Sequence, residues 1–461
     1  MNVALLPAVE QLALLRQRKI SPLELLEEHI ARINRWNPVL NALVDFDPER
    51  ARQQAREARG GALSGLPLTV KASISTKGYK CEIGSLLHLG EIAQQDAEAV
   101  TRLRCAGAVI LGTTNCPELL MAYETDNLLY EKTNNPWATD RTAGGSSGGE
   151  AAAIAAGLSA GGIGSDSGGS VREPAHFSGI CALKPTSGRI PSAGHLPPNT
   201  GPFSILGSIG PMARTIADIE LLFRTLGGSH PSDPAGAPVN MLNVSIDEAK
   251  RIPIGWFEDD GVTPVTPETR QAVRDAVAAL ERQGFNIRPF RPRSLEAARR
   301  LWHIFFVQCG AMFYASTIAG HSEKLSPTFR DFLDIAHAQS PLTAESLLQA
   351  WSDCDVVRGE LLGEMQEFPL LVLPVCSVPA FRHGERKWVV EGSEVNYLDA
   401  MRYTQWFNLL AAPAAVVPVG RSNEGLPIGV QVAGRPYDDE AVLKVAAAIE
   451  SEFGYQPPPL S

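Results

Sequence analysis

Residues 142–194 read TAGGSSGGEAAAIAAGLSAGGIGSDSGGSVREPAHFSGICALKPTSGRIPSAG, and the fold turns on how that stretch is taken. Glycine, serine and alanine dominate it, so a low-complexity linker is the plain alternative. Val, Ile and Leu interrupt it at buried-looking places, and it closes in a defined LKPTSGRIP turn. Small residues in such a setting let a helix and several loops approach one another closely. The stretch is therefore read as the packed centre of a folded chain.

Upstream of it, 66–71 (LPLTVK) has the pattern of a buried strand ending in Lys71, and 107–112 (GAVILG) reads as another. A helix is expected at 21–36. Ser21 can cap it, Pro22 suits the first helical position, Glu24 completes a capping box, and Leu26, Ile30 and Ile33 share one face. Asn37-Pro38 is expected to end it, and 96–106 fits a further helix. Downstream, the strand-like 251–257, a helix begun by Thr266 and Pro267, and a second strand at 286–290 form a strand–helix–strand unit. Residues 295–365 are expected to be mostly helical. They carry Trp302, Phe305, Phe306, Phe313, Tyr314, Phe329 and Phe332, for which core and pocket are equally open roles. Apolar runs at 368–376 and 414–420 read as strands, and 439–452 as a closing helix. The expected fold is α/β: one large domain over 1–461, with a mixed central sheet covered by helices on both faces.

Composition narrows the function. Hydrophobic residues make up 44% of the 461 and charged residues 20%, ordinary globular usage. A net charge of −10 argues against a nucleic-acid partner. The seven cysteines, at 81, 105, 116, 181, 309, 354 and 376, are odd in number, scattered and without a C-x-x-C pair. Reduced thiols in the cytoplasm fit that pattern. No pair of the nine histidines has H-x-x-x-H or H-E-x-x-H spacing, so no metal is expected. The first twenty residues lack a basic n-region and a small-residue cleavage site, and the longest small or apolar run found, 151–164, is too short to span a bilayer. No membrane partner is expected.

Several chemical motifs fail. No G-K-[ST] follows the glycines, and the dinucleotide pattern begun at Gly162-Ile163-Gly164 meets Ser167 where glycine is required. Gly144 to Gly148 matches the G-x-S-x-G nucleophile elbow, but the preceding NNPWATDRT is loop-like rather than a strand, and His303, His337 and His383 stand in no motif. Cys181 reads as a small buried hydrophobe. Lys71, Ser146 and Ser170 remain. Taken alone, a lysine ending a strand usually reaches solvent, and serines in glycine-rich loops usually satisfy backbone.

The block from Gly144 to Pro191 closely resembles the amidase signature family. LPLTVKASISTKG (66–78) is similar to the family's lysine strand, TTNCPELLMAYETDNLLYEKTNNPW (113–137) to the segment leading into the signature, and SIGPMARTIADIELLF (208–223) to the one after it. FNLLAAPAAVVPVGRSNEGLPIGVQVAGRPYDDEAVL (407–443) resembles the C-terminal block. The separations also fit, 75 residues from Lys71 to Ser146 and 24 from Ser146 to Ser170. The resemblance implies a signature core at about 66–225, a variable substrate-pocket region at about 230–365 and a C-terminal core block at about 366–455.

It further implies a Ser–cis-Ser–Lys triad: Ser170 as nucleophile, Ser146 as bridging serine after a cis peptide from Gly145, and Lys71 as base. Ser167, Gly168, Gly169 and Ser170 would form a backbone oxyanion hole. Ser147, Asp166 and Arg172 would support it, and Leu120, Met121 and Gly145 would contact substrate. The implied reaction is hydrolysis of a linear carboxylic amide to acid plus ammonia or amine, on a small molecule, without cofactor, by a chain for which a homodimer is the candidate assembly. The alternatives are the glutamine-amidase subunit of a tRNA-dependent amidotransferase, or a ureido, carbamate or ester hydrolase of the same family. Two departures stand out. Ala72 follows Lys71 where an acidic residue is usual, and Glu150 follows GGSSGG where many members carry serine.

Overall fold

Alternation of small and branched residues builds a broad mixed sheet. The computed structural model describes residues 2–460. Strands β1 (Leu43–Phe46), β2 (Pro67–Lys71) and β3 (Val109–Thr114) precede a hairpin of β4 (Asn134–Asn135) and β5 (Ala138–Thr142). Next come β6 (Gly161–Asp166), β7 (Cys181–Lys184), β8 (Ser208–Ala213), β9 (Ile254–Trp256), β10 (Ile287–Pro289) and β11 (Leu370–Pro374). A second hairpin, β12 (Lys387–Val390) and β13 (Ser393–Asn396), leads to β14 (Ala414–Arg421) and β15 (Pro427–Ala433). Eleven of these form one sheet in the order β1-β3-β2-β6-β8-β7-β14-β15-β11-β9-β10. β2 runs parallel to both β3 and β6, whereas β6 and β8 are antiparallel, so the sheet is mixed as expected. β9 and β10 pair in parallel across the helix Pro267–Arg282, which is the anticipated strand–helix–strand unit.

Side chains alternate across the sheet, and both faces are covered. From β3, Val109 and Leu111 pack with Leu26, Ile30 and Ile33 of the helix Pro22–Leu40, while Ile110 turns to the opposite face. There it joins Leu68 and Val70 of β2 and apolar residues of the helices Ile216–Leu226, Pro267–Arg282 and Asp439–Phe453.

Two expectations are corrected. The helix expected at 21–36 does not stop at Asn37-Pro38 but runs on to Leu40. Proline forfeits one donor in the last turn. The end is held by Asn37, whose Oδ1 accepts the N–H groups of Ala42 (3.0 Å) and Leu43 (2.8 Å), and by Asn41 in the left-handed region at φ 52°. The segment 134–142, read as loop, contains the β4–β5 hairpin. The glycine-rich GGIGSD is a buried strand, β6. A Cβ on Gly162 would lie 2.0 Å from Glu150 Oε1, and one on Gly164 would lie 2.6 Å from Ser147 Oγ. Its glycines thus make room for groups beside the site while β2 and β8 supply the pairing.

Among the described residues, the helical stretch Leu295–Ile318 is long and apolar enough to cross a membrane by length and composition, and its Trp302, Phe305 and Tyr314 pack into the interior.

Candidate active site

Lys71 ends β2, and the sheet's alternation puts it on the same side as Thr69, toward the helix Gly148–Ala155. It is fully buried. Its Nζ donates to Ser146 Oγ at 2.6 Å and Ser165 Oγ at 3.0 Å. Burial pulls the ammonium down to about 8, against the opposing pull of Cys116, Asp166 and Glu150. The peptide Gly145–Ser146 is cis. Ser147 ties the pieces together: its N–H donates to Ser170 O (3.1 Å), and its Oγ donates to Ser165 O (3.3 Å).

Ser170 sits where β6 turns into the helix Arg172–Ser178. Among the described residues its Oγ has no hydrogen-bond partner, so Ser146 and Lys71 are joined directly while Ser170 opens onto the cavities beside them. The loop before it is pinned from below. Asp166 and Arg172 form a fully buried bidentate pair, Nη2–Oδ1 at 2.9 Å and Nε–Oδ2 at 3.0 Å. Burial pushes the Asp166 carboxyl up, but the Arg172 guanidinium outweighs it and holds it well below the usual carboxylate range. Asp166 then accepts the N–H of Gly169 (2.8 Å) and of Val171 (3.1 Å). Arg172 reaches on to Thr404 O and Asn408 Oδ1. Removing one partner of such a pair leaves an uncompensated buried charge. Arg172→Met is therefore expected to lower unfolding free energy by about 3–5 kcal/mol, read by urea denaturation.

The four backbone groups read as an oxyanion hole divide. Gly169, counted among the donors, directs its N–H at Asp166 instead, whereas Ser167, Gly168 and Ser170 keep theirs free of other described residues. The carbonyl of Gly168 is fixed by Tyr123 Oη (3.0 Å) and Thr404 Oγ1 (2.7 Å), and that of Ser167 by Trp302 Nε1 (2.9 Å). These clamps come from distant segments and carry no motif of their own.

Leu120 and Met121 line the cavities at Ser170. Leu119 and Leu120 both adopt positive φ, 52° and 67°, a region that leucine rarely visits. Ile83 O accepts the Leu119 N–H, and Tyr314 Oη donates to Leu119 O, holding the turn in place. Gly145 lies elsewhere than expected. It lines neither cavity but backs onto the chain at 122–124, where a Cβ would lie 2.6 Å from Glu124 N.

Both sequence departures are absorbed locally. Ala72 packs against Cys116 and Leu120. Glu150 is buried, accepting from Thr69 Oγ1 at 2.5 Å and Thr114 Oγ1 at 2.8 Å, and burial pushes its carboxyl up to about 8. It thereby bridges β2 and β3 close behind Lys71. Among the described residues no group of three or more His, Cys, Asp or Glu side chains could hold a metal ion.

Two cavities meet at Ser170. The larger is about 1020 Å³ and runs out over Phe306, Phe332 and Ile335. The smaller, about 30 Å³, is bordered by Ser146, Ser165, His195 and Phe203. A wide π turn spans Ile304–Gln308, and within it Phe306 lies flat on Trp302, ring centroids 4.8 Å apart. The aromatics named in 295–365 therefore divide three ways: Phe306 and Phe332 face the cavity, Trp302, Phe305, Tyr314 and Phe329 are core, and Phe313 is exposed.

A family model described as Amidase matches residues 24–443. The chain is 31% identical to the indoleacetamide hydrolase of Bradyrhizobium diazoefficiens, covering 97% of this chain and 86% of that protein. It is 32% identical to the acylamidase of Rhodococcus erythropolis, covering 98% and 96%. The solved structure of a 6-aminohexanoate cyclic dimer hydrolase with its substrate superposes with a TM-score of 0.87 at 27% identity, over 99% of each chain.

Proposed function

The chain belongs to the amidase family, and from that premise we propose that it cleaves a carboxylic amide through an acyl-enzyme on Ser170, with Lys71 as base and Ser146 as proton relay. The observation that carries the reading is the 2.6 Å contact between Lys71 Nζ and Ser146 Oγ inside a fully buried pocket. A serine hydroxyl needs a base to become a nucleophile. Lysine can be that base only when neutral, and burial brings Lys71 down to about 8.

Ser170 Oγ attacks the amide carbon as its proton passes to Ser146 and that of Ser146 to Lys71. The carbonyl oxygen takes the negative charge and faces the free N–H groups of Ser167, Gly168 and Ser170; one such donor is worth about 10²–10³ in rate. The relay then runs backward. Lys71 returns its proton through Ser146 to the nitrogen, the C–N bond breaks, and the ester on Ser170 remains. Water attacks that ester by the same route and releases the acid. Gly169 is given a positioning part, through its bond to Asp166.

A small-molecule substrate in the cytoplasm is the proposed setting, supported by seven cysteines that are all free. The larger cavity, at the upper end of the roughly 300–1,000 Å³ typical of drug-sized ligands, favours a hydrolase acting alone over one that takes glutamine within an amidotransferase complex. Hydroxylamine tests the intermediate. Added during turnover by the chain alone, it is expected to divert part of the product from acid to hydroxamate. Acid release with no hydroxamate at any hydroxylamine concentration would mean direct attack by water.

A further inference from the structure

Thr404, on the buried helix Arg402–Leu409, holds its Oγ1 among three oxygens: Gly168 O at 2.7 Å, Glu173 Oε1 at 2.9 Å and Met401 O at 3.0 Å. A threonine hydroxyl has one hydrogen to give. The shortest contact directs it to Gly168 O. Glu173 Oε1 then faces Thr404 Oγ1 with no hydrogen between them, unless Glu173 carries its own. We propose that Glu173 is a neutral acid that donates to Thr404 Oγ1, commits the Thr404 hydrogen to Gly168 O, and so positions the oxyanion donors beside Ser170. This rests on the catalytic reading above.

The surroundings of Glu173 suit an acid and not a carboxylate. It is fully buried at the start of the helix Arg172–Ser178, and among the described residues its Oε2 has no hydrogen-bond partner. A buried carboxylate needs donors on both oxygens or a counterion. The titratable groups facing it are Arg172, Asp166, Tyr123, Tyr397 and Cys376. Of these, Arg172 is the cation, and its guanidinium is turned to Asp166, Thr404 O and Asn408 Oδ1. Burial pushes the Glu173 carboxyl well above its usual range, against the opposing pull of Thr404 and Arg172. A carboxyl kept neutral in this way serves as a hydrogen-bond donor. Gly169 makes room for the contact: at φ 125°, a Cβ there would lie 2.4 Å from Thr404 Oγ1 and 2.7 Å from Glu173 Oε1.

The effect falls on one peptide. Tyr123 Oη also donates to Gly168 O, at 3.0 Å, while its own lone pair receives Gln405 Nε2 at 3.0 Å. With Thr404, both lone pairs of Gly168 O are taken. The far end of the same peptide, the Gly169 N–H, is bound to Asp166 at 2.8 Å. The Gly168–Gly169 peptide is thus held at both ends, and the free N–H groups of Gly168 and Ser170 lie on either side of it. Ionising Glu173 would draw the Thr404 hydrogen to Oε1 and release one hold on Gly168 O. Glu173 keeps its proton through the reaction and touches no reacting atom, so its part is positioning.

The probe is a fluorophosphonate, whose phosphoryl oxygen enters the oxyanion hole as Ser170 attacks. The maximal labelling rate and the half-saturating concentration are measured on the full-length chain. Glu173→Met and Thr404→Val are each expected to slow the maximal rate by about 10- to 10²-fold, with half-saturation little changed. The double variant should be no slower than the slower single one. Glu173→Gln, whose amide N–H replaces the acid O–H, should recover most of the rate. The infrared difference spectrum of wild type minus Glu173→Gln at neutral pH should show the C=O band of a protonated carboxyl. Undiminished labelling of Glu173→Met, a Glu173→Gln as slow as Glu173→Met, or carboxylate bands in the difference spectrum would overturn the proposal. Should Glu173→Met fail to fold, Thr404→Val and the infrared band decide. A wild-type chain unlabelled at Ser170 would overturn the catalytic reading and, with it, the part given to Glu173.

Discussion

Ser170→Ala is expected to lower kcat by about 10⁴-fold or more while the protein stays folded. The exchange deletes one oxygen from a site whose scaffold does not depend on it. The buried Asp166–Arg172 pair, the Ser147 N–H to Ser170 O bond and the clamps on Gly168 O involve backbone or other side chains. The melting temperature should therefore move little, and KM for a good amide should change far less than kcat. Groups that act as one unit are not additive. Ser170→Ala combined with Lys71→Ala should be about as slow as the worse single variant, and independent contributions that multiply would contradict the relay.

The second large effect is on pH. The ammonium of Lys71 is lowered from 10.5 to about 8 by burial, so the neutral base accumulates as pH rises through 8. The kcat/KM of the wild type is expected to climb across pH 7–9 and level off above it. Lys71→Ala should be slower by about 10²–10⁴ and should lose that rise. Lys71→Arg should not rescue it, because a guanidinium stays charged throughout this range. A wild-type profile flat from pH 6 to 9, or a rise that persists in Lys71→Ala, would assign the base elsewhere. Stability carries the complementary sign. A lysine whose folded value is lowered opposes folding when protonated, so the cost is full below about pH 8 and fades as pH approaches 10.5.

Much of this was legible in the sequence for physical reasons. Lys71 ends a run whose apolar residues suit a buried strand, and 251–290 carries its own caps and strand residues. The resemblance over 144–191 singled out Ser146 and Ser170. What stayed hidden depends on distant partners. Gly161–Asp166 has little intrinsic strand preference and is made a strand by β2 and β8. The assignment of Gly169 to Asp166, and of Gly145 to the back of the site rather than to a cavity wall, are facts of hydrogen bonding and close approach that spacing does not report. Ser165 and His195 belong to the site by contact alone. Whether Phe305 or Phe306 faces the cavity is set by the π turn at Ile304–Gln308, where helical periodicity slips.

The most direct measurement is the location of a fluorophosphonate adduct by intact mass and peptide mapping on the wild type, Ser170→Ala and Ser146→Ala. The account predicts one adduct, on Ser170, absent from Ser170→Ala and formed slowly in Ser146→Ala, where the nucleophile remains but its relay to Lys71 is cut. An adduct that survives Ser170→Ala and maps to Ser146 would contradict it and place the nucleophile in the G-x-S-x-G turn.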